Sequence, residues 1–154
     1  MKILMVCLGN ICRSPLAQGI LEEKIQQRGL NASVDSAGTA AYHIGEKPDS
    51  RSIQIAVKHN VNISSQTARQ FEVSDFDRFD RIYAMDRHNY EDILALARNE
   101  EDRKKVDMIL NASRPGKNNS VPDPYYSGRE GFQKVYAMLD EACEVIAGDI
   151  AANS

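Results

Sequence analysis

The chain predicts an α/β fold, three-layer α/β/α with a central four-stranded parallel sheet, on three observations. Short apolar runs alternate with stretches of helical periodicity along the 154 residues. The first run, KILMVCL at 2–8, is apolar from Ile3 onward instead of alternating, the pattern of a strand buried on both faces. The length and the 42% apolar composition suit one compact domain over residues 1–154. In such sheets ligands bind at the carboxyl ends of the strands, and Cys7 closes the first one.

The elements follow in order. After strand 2–8, Ser14 and Pro15 read as the N-cap and first-turn proline of a helix. Leu16, Ala17, Ile20, Leu21 and Ile25 give that helix one apolar face, and Gly29 ends it. ASVDS at 32–36 is a second strand running into Ala37-Gly38-Thr39. A loop with Gly45 and Pro48 follows, and Asp49 caps a helix through Lys58 with Ile53, Ala56 and Val57 inward. Ser74 to Asp77 is a further cap, RIYA at 81–84 a third strand, and His88 to Asn99 a helix facing inward through Ile93, Leu94 and Ala97. The mixed charges from Arg98 to Lys105 read as a solvated helix end and turn. Val106 to Leu110 is the fourth strand, 113–121 a loop, and Gly128 to Ala147 a long helix carrying Phe132, Val135, Tyr136, Leu139, Cys143 and Ile146 at helical spacing.

A net charge of −3 gives no support to a nucleic-acid or anionic-membrane partner, since both select basic surfaces. No apolar run approaches the ~18 residues of a membrane span, and the N-terminus lacks the pattern of a signal peptide, so a cytoplasmic protein is expected. Three cysteines, an odd number, argue against a disulfide framework. Zinc-ligand spacing is absent, and His43, His59 and His88 are scattered.

The loop CLGNICR carries the chemistry. A strand-to-helix loop points backbone N–H groups into one concavity, and the helix dipole adds positive potential. Gly9 lets the chain curl, Asn10 tolerates a left-handed conformation, and Arg13 supplies a planar fork for two phosphate oxygens. The same field favours the nucleophilic thiolate of Cys7. The lysine of a nucleotide-binding P-loop is missing. Turnover also needs a proton donor for the leaving oxygen. Asp123 in VPDPYY is the candidate, stiffened by Pro122 and Pro124, and Tyr125 and Tyr126 can wall a slot for a flat ring.

These residues resemble the low-molecular-weight protein tyrosine phosphatases. Beyond VCLGNICRSP and DPYY, the segments DSAGT at 35–39, Tyr42, GEKPD at 45–49, ARQF at 68–71 and FDRIYAMD at 79–86 fall in family order over nearly the whole chain. The resemblance implies Cys7 as nucleophile through a phosphocysteine, Arg13 as clamp, and the amides of Leu8, Gly9, Asn10, Ile11, Cys12 and Arg13 as a phosphate cradle. It implies that Ser14 supports the thiolate, that Asn10 and Ser36 hold the loop, and that Asp123 acts as general acid and then base. Ile11, Tyr42, Tyr125 and Tyr126 would line the ring pocket, and Cys7 and Cys12 would form a reversible disulfide. No metal and no cofactor are expected. The partners implied are phosphotyrosine-bearing proteins, with the chain a monomer or weak dimer.

One departure stands at Gln66, where many relatives carry a histidine that braces the loop. Glutamine also donates and accepts, so activity is expected to persist. Related arsenate reductases need further cysteines near 80–90, where this chain has RIYAMDRHNY. Protein-arginine phosphatases place threonine where Ile11 stands and lack the paired tyrosines. A phosphate-binding module or phosphocysteine carrier would not need a rigidly held Asp123, and a flavin-binding protein would want hydroxyls in its phosphate loop.

Overall fold

The structure, a computed structural model, describes residues 1–153. It runs β1 (Lys2–Cys7), α1 (Arg13–Arg28), β2 (Ser33–Gly38), α2 (Ser50–Lys58), α3 (Asp75–Arg78), β3 (Arg81–Ala84), α4 (Arg87–Leu96), α5 (Glu100–Lys104), β4 (Val106–Met108) and α6 (Gly128–Ala152), with a 3₁₀ turn at Ile109–Asn111. The sheet order is β2-β1-β3-β4 and every pairing is parallel.

Two apolar layers explain why β1 reads as a continuous apolar run. Ile3, Met5 and Cys7 face the layer built with Leu16, Ile20, Leu139 and Ile146 of α1 and α6. Leu4 and Val6 face the opposite layer, with Phe76 of α3, Ile82 of β3, Ile93 of α4 and the loop residue Phe71. Alternate residues of a strand point to opposite faces, and here both faces are covered. Because the chain pairs β2 on one side of β1 and β3 on the other, the crevice at the carboxyl end of β1 is a topological switch point. Cys7 and the loop after it occupy that crevice.

Several boundaries differ from the sequence expectation. Ser14 is not the cap of α1: the helix begins at Arg13, and its N-cap, Cys12, makes no side-chain capping bond. The Ser14 hydroxyl is instead drawn back to Cys7 and Asn10, and Pro15 stays within the first turn, where N–H groups need no helical partner. On α2, Ile55 and Ala56 are buried and Val57 is 61% exposed, so the apolar stripe sits differently from the one expected. Asp49 does cap α2, through Arg51 N. At α3 the predicted Ser74 cap makes no side-chain capping bond, and its hydroxyl donates to Glu72 Oε2 at 3.4 Å instead. Asp75 takes the polar role there, accepting from the backbone N–H of Glu72.

The stretch 98–105 forms a helix of its own, α5, because Asn99 caps it and Asp102 is buried against Arg98. β4 stops at Met108, where the chain tightens into the 3₁₀ turn, and α6 runs to Ala152. Cys143 lies fully buried in the α1/α6 layer, and burial pushes its thiol up to about 12. Among the described residues no helix is long and apolar enough to cross a membrane.

One buried ion cluster ties the 68–79 segment to the sheet. Asp75, 0% exposed, accepts from both Arg69 Nη atoms and from Arg78. Removing one partner of a buried pair strands the other charge. Asp75→Ala is therefore expected to lower unfolding free energy by about 3 kcal/mol, the low end of that class because Arg69 keeps Asp35 as a partner. Denaturant unfolding with an unchanged m-value would check it.

Candidate active site

The loop between β1 and α1 is built around Asn10. Its φ of 58° is left-handed, a conformation Asn accepts more readily than most residues. That backbone turn sends the side chain inward, where Nδ2 donates to Ser14 Oγ at 2.9 Å and Ser36 Oγ at 2.9 Å. Its Oδ1 accepts from Arg69 N at 3.0 Å, and its own N–H donates to Cys7 Sγ at 3.2 Å. The Asn10 side chain thus joins α1, β2 and the segment leading to α3, and its backbone N–H adds the Cys7 end of β1. Ser36 is itself held, donating to Gln18 Oε1 at 2.6 Å.

The carbonyls around the ring are drawn outward. Thr39 N donates to Cys7 O at 2.9 Å, Ala40 N to Leu8 O at 3.0 Å, and Asp49 N to Ile11 O at 2.8 Å. Ser52 Oγ donates to Cys12 O at 3.3 Å. Gly38 lets the β2 end lie against this ring, for a Cβ there would stand 2.8 Å from Leu8 O and 3.1 Å from Asn10 N.

Around Cys7 the polar groups converge. Cys7 Sγ and Ser14 Oγ are 2.9 Å apart. Arg13, 3% exposed, holds Asp86 Oδ2 at 2.6 Å and Val121 O at 2.9 Å through Nη1. Burial works against the Arg13 charge, but facing Cys7 and the bond to Asp86 outweigh it and raise its pKa. Nη2 reaches toward Asp123 Oδ2 at 3.8 Å. Asp123 is 49% exposed at the cleft mouth, and its Oδ1 accepts from Tyr125 N at 3.0 Å. Burial first, then the charges of Asp49, Cys7 and Asp123, push the Cys12 thiol up to about 12.

The cleft is about 280 Å³. Every candidate in the ring and its walls, from Cys7 to Arg13 with Tyr42, Asp123, Tyr125 and Tyr126, is brought to it, save Asn10, which lies behind the ring as its brace. Ser14 and Ser36 share that supporting position. Tyr125 and Tyr126 meet edge to face at 4.9 Å, and Tyr126 is 95% exposed. His43 also lines the cleft, held by Glu46 at 2.9 Å.

Gln66 is the candidate that ends up elsewhere. Its amide donates to Pro15 O at 3.1 Å, past the loop, and its Oε1 is buried without a hydrogen-bond partner among the described residues. Arg69 N takes the bracing contact on Asn10.

Three positions had no site role in the sequence pattern. Asp86 follows the carboxyl end of β3 as Cys7 ends β1, a placement that could have flagged it. Asp49 was legible only as a helix cap. Arg51 donates to Tyr125 O at 2.8 Å, is gripped by both Asp49 oxygens, and lies 5.3 Å from the Tyr125 ring centre. It ties the Asp123 loop to α2.

Comparison with known proteins gives the family and the fold it shares. The sequence model of the family described as low molecular weight phosphotyrosine protein phosphatase matches residues 2–154. The chain belongs to that family. A Synechocystis sp. homologue described as a low molecular weight protein-tyrosine-phosphatase is 46% identical over 145 residues, covering 93% of this chain and 92% of the relative. A crystal structure of a protein tyrosine phosphatase from Entamoeba histolytica, with Hepes in its active site, superposes with TM-score 0.93 at 37% identity, covering 99% and 98% of the two chains. A Drosophila arginine phosphatase also superposes, with TM-score 0.90 at 31% identity over 97% of each chain.

Two outcomes follow from the site. Gly38→Ala is expected to displace the Leu8–Asn10 backbone, so phosphate and vanadate should bind at least about 10-fold more weakly, a loss of ~1.4 kcal/mol measurable by calorimetry. Arg51 hydrogen bonds hold the Asp49 carboxyl below its ordinary range. A lowered folded-state value means the stabilisation is present above the unfolded value and fades as pH falls through the folded one. The stability gap between wild type and Asp49→Asn should therefore be constant near neutrality and narrow below about pH 4, in denaturant titrations at a series of pH values.

Proposed function

We propose that the chain hydrolyses phosphotyrosine on proteins, and small aryl phosphates, with Cys7 as nucleophile, Arg13 as phosphoryl clamp and Asp123 as general acid and base. The observation that carries the reading is the convergence of Cys7 Sγ, the Arg13 guanidinium and the Asp123 carboxylate on one cleft.

In the first step the Cys7 thiolate attacks phosphorus. An S–P bond forms while the P–O bond to the phenol breaks, and Asp123 gives its proton to the departing oxygen. The Asp123 carboxylate then takes a proton from water, the water oxygen attacks phosphorus, the S–P bond breaks, and phosphate leaves with the thiolate restored. Arg13 and the backbone amides of residues 8–13 carry the charge on the equatorial oxygens, a role supported by the outward-bonded carbonyls of the ring and by Asn10 N–H pointing at Cys7 Sγ. Asp86 and Val121 O fix the guanidinium plane, so Asp86 acts through Arg13 as a positioning residue. The Ser14 hydroxyl supports the thiolate.

Fold likeness extends to an arginine phosphatase, so the leaving group must be read from the walls. Ile11 gives the cleft an apolar surface, and Tyr42, Tyr125 and Tyr126 flank it, which suits a phenyl ring better than a guanidinium. Cys12 lines the same cleft as Cys7. Peroxide would take Cys7 to its sulfenic acid, and the Cys12 thiol would condense with it, losing water and forming a reducible disulfide. On this reading residues 1–154 hold one phosphatase domain, metal-independent and cytoplasmic, a monomer or weak dimer, with phosphoproteins as its partners.

Initial rates on a phosphotyrosine peptide and a phosphoarginine peptide test the reading. Wild type should favour phosphotyrosine, Cys7→Ser should abolish turnover, and Asp123→Asn should lower kcat on the tyrosyl ester by about 10²–10⁴-fold. The loss should be smaller on p-nitrophenyl phosphate, whose leaving group needs less protonation. Faster phosphoarginine turnover, or full activity in Asp123→Asn, would overturn it.

A further inference from the structure

Beside the cleft lies a second concavity, between α2 and the start of α6, lined by Arg51, Gln54, Ile55, Lys58, Arg129 and Phe132. Its volume is about 290 Å³, comparable to the catalytic cleft. We propose that this groove reads the substrate chain flanking the phosphotyrosine, taking an acidic residue next to an apolar one. The inference rests on the phosphotyrosine reading above.

Its chemistry is two-sided. Ile55 and Phe132, nearly fully buried, form the floor. Among the described residues its rim holds three cations, of which Arg51 is already paired with Asp49, and no carboxylate, on a chain whose net charge is −3. Among the described residues Lys58 and Arg129 make no ion pair with any carboxylate. Lys58 stands in the last turn of α2, where the helix dipole favours a cation. Arg129 stands in the first turn of α6, where the dipole disfavours one, and Ser127 supplies no side-chain cap to offset it. Local helix stability does not explain Arg129, whereas an anion held between Arg129 and Lys58 does.

The groove is continuous with the cleft through one residue. The Arg51 guanidinium lies 4.7 Å from the Phe132 ring centre in the groove and 5.3 Å from the Tyr125 ring centre at the cleft wall. A substrate leaving the cleft past Tyr125 therefore meets the Arg51 edge of the groove. An extended chain advances about 3.3–3.6 Å per residue, so residues two to four away from the phosphotyrosine span roughly 7–14 Å, the scale of such a step. The apolar floor takes the neighbouring Leu or Phe, and the rim takes the carboxylate.

The test compares kcat/KM on matched phosphotyrosine peptides bearing Glu-Leu or Gln-Leu, placed on either side of the phosphotyrosine in turn. The enzymes are wild type, Lys58→Glu/Arg129→Glu, and a control, Arg81→Glu/Lys104→Glu, with the same charge change at the amino end of the sheet. Exposed pairs are individually weak, so wild type is expected to prefer one Glu-Leu peptide by about 2- to 10-fold, mostly through KM. The groove variant should lose or invert that preference, the control should keep it, and all three should hydrolyse p-nitrophenyl phosphate alike, which also shows that the variants fold. Equal rates on Glu and Gln peptides in wild type, or a preference that survives in the groove variant, would overturn the groove. A preference lost equally in the control would reduce it to a long-range field effect and overturn it as well. Failure of wild type on every peptide and on p-nitrophenyl phosphate would instead overturn the catalytic reading itself.

Discussion

The left-handed turn at Asn10 is the constraint on which the site depends. A phosphate ring needs its N–H groups on one side and its carbonyls on the other, which no regular element provides. The structure forces that arrangement by turning Asn10 to φ 58° and anchoring its amide on Ser14, Ser36 and Arg69 N. Those anchors come from three separate segments. The ring therefore exists only once the sheet and its flanking loops have assembled, and its geometry is over-determined in the way a strained functional backbone requires.

Around the ring, charge is managed in pairs. Buried Arg13 is kept beside Asp86 and the Val121 carbonyl, so its fork is fixed. Arg69 is shared between Asp35 and Asp75 and lends its backbone to Asn10. Arg51 is shared between Asp49 and the Tyr125 carbonyl. Each arginine joins a rigid element to a loop that carries part of the cleft. The Asp123 loop is the least enclosed of these, held by flanking prolines, its own Asx turn and Arg51. Such a loop suits a group that must meet first a phenol oxygen and then a water.

Specificity rests on weaker forces than catalysis does. In the proposed mechanism Arg13 and the loop amides grip the phosphoryl group, which every phosphate ester carries, so discrimination would fall to the aromatic walls and to whatever the substrate chain meets beyond Tyr125. Tyr126, 95% exposed, and the cationic groove past Arg51 lie in that outer zone.

The sequence by itself carried the signature of the proposed covalent chemistry and determined the layered α/β fold. The all-apolar β1, the Cys7-to-Arg13 spacing and the proline-flanked Asp123 are local patterns, legible because burial on two faces and a strand-to-helix turn each leave a short signature. Helix ends were less legible. The Ser14-Pro15 pair has the form of a cap, yet Ser14 serves Cys7 and Asn10, because tertiary hydrogen bonds outweigh a capping preference worth about 1 kcal/mol. Only the tertiary structure decided that Asp86, Arg51 and Arg69 belong to the site and that Gln66 does not brace the loop. Their partners lie tens of residues away, and long-range hydrogen bonds and ion pairs leave no periodicity in the chain that makes them.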